Sequence, residues 1–228
     1  MFLLSLVSAM ALYAFLESFV FKFPSKEIFG FVLSASLIVV SIKAFRDLEI
    51  DLHQALNYYS KRGYVSYISG LKYFGILLCF IFVVVGLIVA ADFLLSYFNL
   101  LPIDTLTNSL IPESVIQTGY ISTNLIGSPW RLSLFVTEVC VFAPIGEELI
   151  FRRLLYISLR NKYSFPFSLI ISSLVFGIIH GGGWFIVFGK GLLIGYFYEK
   201  NRDVLAAIFL HSSINILALI LGFAALWV

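Results

Sequence analysis

Residues 146–152 read G-E-E-L-I-F-R inside a stretch that is otherwise almost entirely apolar. An ionised side chain deep in hydrocarbon costs at least a few kcal/mol, so Glu147, Glu148 and Arg152 call for a functional account. Glu148 and Arg152 are four residues apart and can pair on one helix face. Glu147 is rotated about 100° from Glu148, so the two carboxylates are not expected to point at one small spot. The expected division is one carboxylate for proton transfer and one for support. Two histidines lie further along. His180 follows F-G-I-I and precedes three glycines; His211 sits in F-L-H-S-S-I-N, with Asn215 one turn later on the same face. A carboxylate in a water-poor site can act as general base. A histidine can share the proton and pass it to a leaving amine, and histidine and asparagine offer donors to an oxyanion. Together these groups suit hydrolysis by an activated water.

Other polar residues carry weaker signals. Glu17, Asp92 and Lys190 have no charge partner at helical spacing and read as lone polar groups. Glu138, nine residues before Glu147, is expected to face the same interior. His53 reads as an interfacial histidine, and Ser212 and Ser213 as packing serines beside His211. Cys79 and Cys140 both lie in apolar runs and read as small hydrophobes, neither a disulfide nor a metal site.

Such groups need a scaffold, and composition names it. Of 228 residues, 61% are hydrophobic and 12% charged, and the mean hydropathy is +1.00. Soluble domains are nearer half apolar and a quarter charged. The reading is an all-α, polytopic transmembrane bundle. A net charge of +2 gives no reason to expect nucleic acid. Hydropathy marks seven spans, near 1–21, 28–46, 71–98, 131–159, 166–181, 184–199 and 203–227. An eighth could lie in 50–66 or 103–126. The first run lacks a basic leader and a cleavage site and reads as a retained helix. Pro144 is expected to kink the fourth span just before the glutamate pair.

Lysines and arginines set the orientation. Lys43, Arg46, Lys61, Arg62 and Lys72, then Arg153, Arg160 and Lys162, then Lys200 and Arg202 fall on one side, expected to be cytoplasmic. Lys22 and Lys26 dissent. The 99–130 segment has no lysine or arginine, contains Pro102, Pro112 and Pro129, and falls opposite. The segment 43–66 repeats apolar residues at three and four and reads as an amphipathic helix on the cytoplasmic surface. The expected organisation is one integral membrane domain over 1–228, with variable helices and a loop over 1–129 and a catalytic helix core over 130–220. Counted from the cytoplasmic ends, Glu147, His180 and His211 lie at comparable depth, roughly 12–21 Å at 1.5 Å per residue.

The order E-E-x-x-x-R, F-x-x-x-H, H-x-x-x-N resembles the CAAX-protease and bacteriocin-processing family of intramembrane endopeptidases, which includes the type II CAAX prenyl endopeptidase. Glu147 to Arg152, Phe176 to His180 and His211 to Asn215 supply the three motifs in order with their spacing intact. The resemblance covers about 130–220. It implies that Glu147 and His180 activate a water, that His211 and Asn215 stabilise the oxyanion, and that Glu148 and Arg152 support them. It implies a substrate that is a membrane-embedded or lipidated peptide, either a prenylated CAAX tail or a leader-bearing peptide. The expected location is the plasma membrane of a prokaryote. No cofactor is favoured. A zinc alternative would use Glu147, His180 and His211 as ligands, but the chain has no H-E-x-x-H. Two rival readings remain. One is a non-proteolytic scaffold or bacteriocin self-immunity factor of the same fold. The other is a proton-coupled carrier.

Overall fold

The computed structural model describes residues 26–47, 52–98, 125, 127–180 and 184–224. The expected first span with Glu17, most of the 99–130 segment and the three-glycine turn lie outside the described residues, as do the side chains of His53 and Asp92. The described chain is helical, with no strand among the described residues. Helix α1 is Lys26–Asp47, α2 is Leu52–Tyr97, α3 is the helical run 129–160, α4 is Phe165–Ile178, α5 is Trp184–Asn201 and α6 is Val204–Ala224. These six helices overlap the last six segments marked by hydropathy.

One expectation needs correction. The amphipathic segment 43–66 is not a separate surface helix. Its first residues finish α1, and from Leu52 it continues without a break through the expected third span, giving one helix of 46 residues. At 1.5 Å per residue that is about 69 Å, more than twice a bilayer core. No proline interrupts it, and isolated glycines such as Gly63 and Gly75 cost only about 1 kcal/mol each. Its middle is held against α6. Ser66 donates to Asp203 at 2.6 Å, and the Tyr67 and Phe209 rings meet edge to face at 5.2 Å.

Around Pro144 the helix widens. Within α3, residues Glu138–Phe142 and Leu149–Tyr156 are π-helical, flanking the α-helical turn Ala143–Glu148 that carries the glutamates. The Ala143 N–H reaches back five residues to the Glu138 carbonyl. In that register the next bond would run from residue 144 to the Val139 carbonyl, and proline has no N–H to donate. Local π turns are characteristic of functional segments.

Close packing brings the remaining helices in. Both α3 and α4 start with an extended serine, Ser128 or Ser164, and a proline in the first turn. A Cβ on Gly177 of α4 would stand 2.7 Å from the Trp184 carbonyl oxygen, so α4 and α5 touch there through backbone. Gly191 of α5 lies equally close to Phe176 and Ser173. Gly146 lets α1 approach the glutamate turn, with Leu37 Cβ 3.0 Å from where its own Cβ would be. One buried cluster joins Tyr156, Ile194, Phe197, Tyr198, Ala207 and Leu210 from α3, α5 and α6; a second joins Ile150, Phe151, Leu155 and Phe176 from α3 and α4. Cys140 is buried against Leu125 and Leu219, Cys79 is exposed, and both are free thiols.

At one end of the bundle Glu199 gathers a polar network. It accepts from Tyr156 at 2.6 Å, pairs with Arg160 at 3.1 Å and pairs with Arg202 at 2.5 Å. The basic turns after α3 and before α6 therefore share that end. Arg202 itself has φ 53°, a left-handed helix-ending position more often given to glycine or asparagine.

The protein is a membrane protein. Among the described residues, Glu27–Arg46 and Val204–Ala224 are long and apolar enough to cross a bilayer, and Phe165–Ile178 is a shorter apolar helix. Helices α3 and α5 carry Glu138, Glu147, Glu148, Arg152 and Lys190, so they fall short of a simple apolar span. Large apolar side chains stand out on α2, Phe82, Leu87 and Phe93 each at least 65% exposed, an outer surface suited to lipid.

The α4–α5 contact makes a clear prediction. Gly177→Val is expected to lower stability by roughly 1–3 kcal/mol through forced separation of the two helices, read as an earlier thermal unfolding transition in detergent. Gly189→Ala on the same helix pair, where a Cβ meets nothing within 4 Å, should leave the transition in place.

Candidate active site

The site is built outward from a buried ion pair. Arg152 Nε donates to Glu148 Oε2 at 2.8 Å, and both side chains are 0% exposed. The other carboxylate oxygen, Glu148 Oε1, lies 2.8 Å from His211 Nδ1. A carboxylate held ionised by an arginine only accepts, so His211 carries its hydrogen on Nδ1. That choice of tautomer leaves Nε2 pointing the other way, toward Glu147 and Lys190.

Glu147 lies on the far side of the same ring. Its Oε2 is 3.6 Å from His211 Nε2 and its Oε1 is 3.7 Å from His180 Nε2. The expectation that the two carboxylates cannot converge is thus refined. Their directions do differ, yet one imidazole bridges them, a nitrogen to each. Glu147 is 14% exposed and His180 28%, while Glu148, Arg152 and His211 are sealed. The cluster therefore opens through Glu147 and His180.

Phe176, the first residue of the second motif, organises the other half. It is fully buried. Its carbonyl lies 2.6 Å from His180 Nδ1; a carbonyl only accepts, so His180 donates from Nδ1 and its Nε2 lone pair faces Glu147. The Phe176 ring meets His180 edge-on at 4.7 Å and His211 at 6.0 Å. The Arg152 guanidinium and the Lys190 ammonium each lie 5.4 Å from its centroid, within cation–π range. Gly195 lies close beside it: a Cβ there would stand 2.6 Å from Leu169 Cδ1 and 3.4 Å from Arg152 Nη1.

Asn215 is fixed by the π turn. Its Nδ2 donates to the Val139 carbonyl at 2.8 Å, the acceptor that Pro144 leaves without a backbone donor. Glu138 turns toward α1, where Ser34 Oγ donates to it at 2.9 Å and Gly30 lets it lie close.

Lys190 is the residue that spacing along one helix misses. Its Nζ is 2.9 Å from His211 Nε2 and 3.4 Å from Asn215 Oδ1. Its partners lie on α6, one helix away, so its reading as a lone cation is corrected. A charged residue flanked by Gly189 and Gly191 in an apolar helix was the available signal. The same contact bears on metal binding. The His211 Nε2 lone pair that a zinc ion would need already faces an ammonium. Among the described residues, no three histidine, cysteine, aspartate or glutamate side chains are arranged to hold a metal ion.

Comparison with known proteins falls on this same region. Residues 129–217 match the family model described as type II CAAX prenyl endopeptidase Rce1-like, so the resemblance carried by the three motifs is shown, and the match takes in every residue of the cluster. The chain is 29% identical over 90 residues to a Bacillus subtilis (strain 168) protein described as "Putative membrane peptidase YdiL". It is 27% identical over 122 residues to UPF0177 protein YxdF of Lactococcus lactis subsp. lactis (strain IL1403). These alignments cover 39% and 48% of the chain, and 37% and 66% of the respective relatives. No solved structure matches the chain.

Breaking the central pair should be costly. Arg152→Met strands the Glu148 charge in a sealed site and is expected to destabilise by roughly 3–5 kcal/mol. The double variant Glu148→Gln/Arg152→Met should lose less than Arg152→Met alone. Denaturant unfolding of the three proteins in the same detergent checks the order.

Proposed function

We propose that the chain is an intramembrane endopeptidase that hydrolyses a peptide bond with a water activated by Glu147 and His180. The single observation that carries this reading is the pairing of two bare acceptors. Glu147 Oε1 and His180 Nε2 face each other at 3.7 Å, too far for a direct hydrogen bond. Phe176 fixes the histidine so that its lone pair points inward. A water has two hydrogens to give and fits between two such acceptors. The edge of the cluster that is open to solvent is the one where that water must enter.

In this reaction the water oxygen attacks the scissile carbonyl carbon as its proton passes to Glu147. The carbonyl becomes a tetrahedral oxyanion. The proton then moves to the departing amine, with His180 placed to relay it, and the C–N bond breaks. Glu148 and Arg152 take no part in bond making. Their role is to hold His211 in one tautomer and orientation, as an orienting carboxylate does in other hydrolases. Asn215 has its second Nδ2 hydrogen available beside the site. We infer a mechanism without metal, because the ammonium of Lys190 takes the position on His211 that a metal would use.

The substrate class is inferred as a membrane-associated peptide, prenylated at a CAAX-type terminus or bearing a leader. The family model that matches 129–217 and the apolar outer surface of the bundle support it. A multi-pass topology of seven spans in a prokaryotic plasma membrane belongs to the same reading.

Purified chain in liposomes should cleave a panel of prenylated and leader-bearing peptides. Glu147→Gln and His180→Ala should each lower kcat by roughly 10²–10⁴-fold, the range for general acid–base groups, without shifting the thermal transition. Full activity of Glu147→Gln would defeat the mechanism. The wild-type rate should also survive 1,10-phenanthroline; abolition that added zinc restores would defeat the metal-free reading.

A further inference from the structure

We propose that Lys190 is a catalytic residue of this site, supplying the positive charge and an N–H to the oxyanion of the tetrahedral intermediate. The inference rests on the peptidase reading and adds a group that the three motifs do not contain.

The resemblance assigns oxyanion stabilisation to His211 and Asn215. With its hydrogen on Nδ1 and committed to Glu148, a neutral His211 has no N–H left for an oxyanion. Its Nε2 accepts from Lys190 instead, at 2.9 Å. Asn215 has one Nδ2 hydrogen committed to Val139, and its Oδ1 is the second acceptor for Lys190, at 3.4 Å. An ammonium has three N–H groups. Two are directed at His211 and Asn215, which leaves one, on a cation that touches both residues assigned to the oxyanion.

Charge accounting agrees. The charged groups acting on Lys190 are Glu147, Glu148 and Arg152; His180, His211 and Glu138 are the other titratable groups of the region. With Glu147 and Glu148 ionised, Arg152 balances one and Lys190 the other. When water attacks, Glu147 gains a proton and loses its charge while the carbonyl oxygen acquires one. The negative charge moves across the site and the net charge stays zero. A cation already held at His211 and Asn215 meets the new charge on the carbonyl oxygen without reorganising, which is the economy of a preorganised site. Lys190 is half-buried with its ammonium 5.4 Å from the Phe176 ring centroid, and a charge partly withdrawn from water acts more strongly on its neighbours.

The test uses full-length protein in liposomes and a membrane-anchored fluorogenic peptide that the wild type cleaves. Lys190→Met should lower kcat by roughly 10²–10³-fold, the loss measured for single oxyanion donors, with KM held within about threefold. Lys190→Arg, which keeps the charge, should retain an intermediate rate. A peptide aldehyde, whose hydrate mimics the tetrahedral intermediate, should lose affinity in parallel with kcat/KM across the three proteins. Lys190→Met with wild-type kcat, or a lost rate with unchanged aldehyde affinity, overturns the proposal. If Lys190→Met does not fold, Glu147→Gln/Lys190→Met removes the stranded charge. Aldehyde affinity equal to that of Glu147→Gln alone then overturns the proposal, and weaker affinity supports it. A wild type that cleaves no peptide defeats the peptidase reading itself, an outcome distinct from an active wild type with an active Lys190→Met.

Discussion

Everything in the site depends on one fully desolvated salt bridge. Arg152 and Glu148 expose no surface, so neither charge could exist there without the other. The pair is not an efficient way to add stability, since well-packed apolar side chains of similar volume often do as well. Its value is directional. An ionised Glu148 can only accept, which dictates where His211 keeps its hydrogen. That in turn dictates what His211 presents to Glu147 and Lys190. A single ion pair thus propagates a chemical instruction across a ring to Glu147 and Lys190.

A second layer of fixing comes from backbone carbonyls. Phe176 sets His180 by accepting from Nδ1, and Val139 sets Asn215 by accepting from Nδ2. Both carbonyls are available because regular helical bonding ends or changes register there. Phe176 lies near the C-terminal end of α4, where the last carbonyls of any helix lack partners. Val139 lies in a π turn followed by a proline. The irregularities of the helices therefore supply the acceptors that regular helices would have consumed.

Much of this was legible in the sequence, for definite reasons. Glu148 and Arg152 stand four apart, and helix geometry alone makes them neighbours. The spacing of His211 and Asn215 places them on one face in the same way. Hydropathy located six of the described helices because lipid and buried apolar surface demand the same residues. Other features were hidden because they depend on contacts between helices. Lys190 has no charge partner at helical spacing on α5, and only the packing of α5 against α6 brings it to His211. The continuity of α2 was hidden because a polar first half and an apolar second half look like two elements, although the backbone has no reason to break. The convergence of Glu147 and Glu148 on one ring was hidden because angular separation on a helix says nothing about the width of what lies opposite. The residues read as oxyanion donors were likewise named by type; their free hydrogens emerge only once every partner is known.

The π turn at Glu138–Phe142 has one more consequence. It stores a surplus residue in α3, which offsets the angular phase of everything before it from everything after it by about 100°. Arg131 pairs with Glu27 of α1 at 3.0 Å on the early side, and Glu147 meets the histidines on the late side. The number of residues between Arg131 and Glu147 is therefore a setting, like the teeth between two meshed gears. Losing one residue from that interval would leave every side chain of the cluster chemically intact. It would still turn Glu147 away from its histidines, or tear Arg131 from Glu27. Substitution tolerance and length tolerance are separate properties in this segment, and an apolar stretch that accepts many residue types need not accept a single deletion.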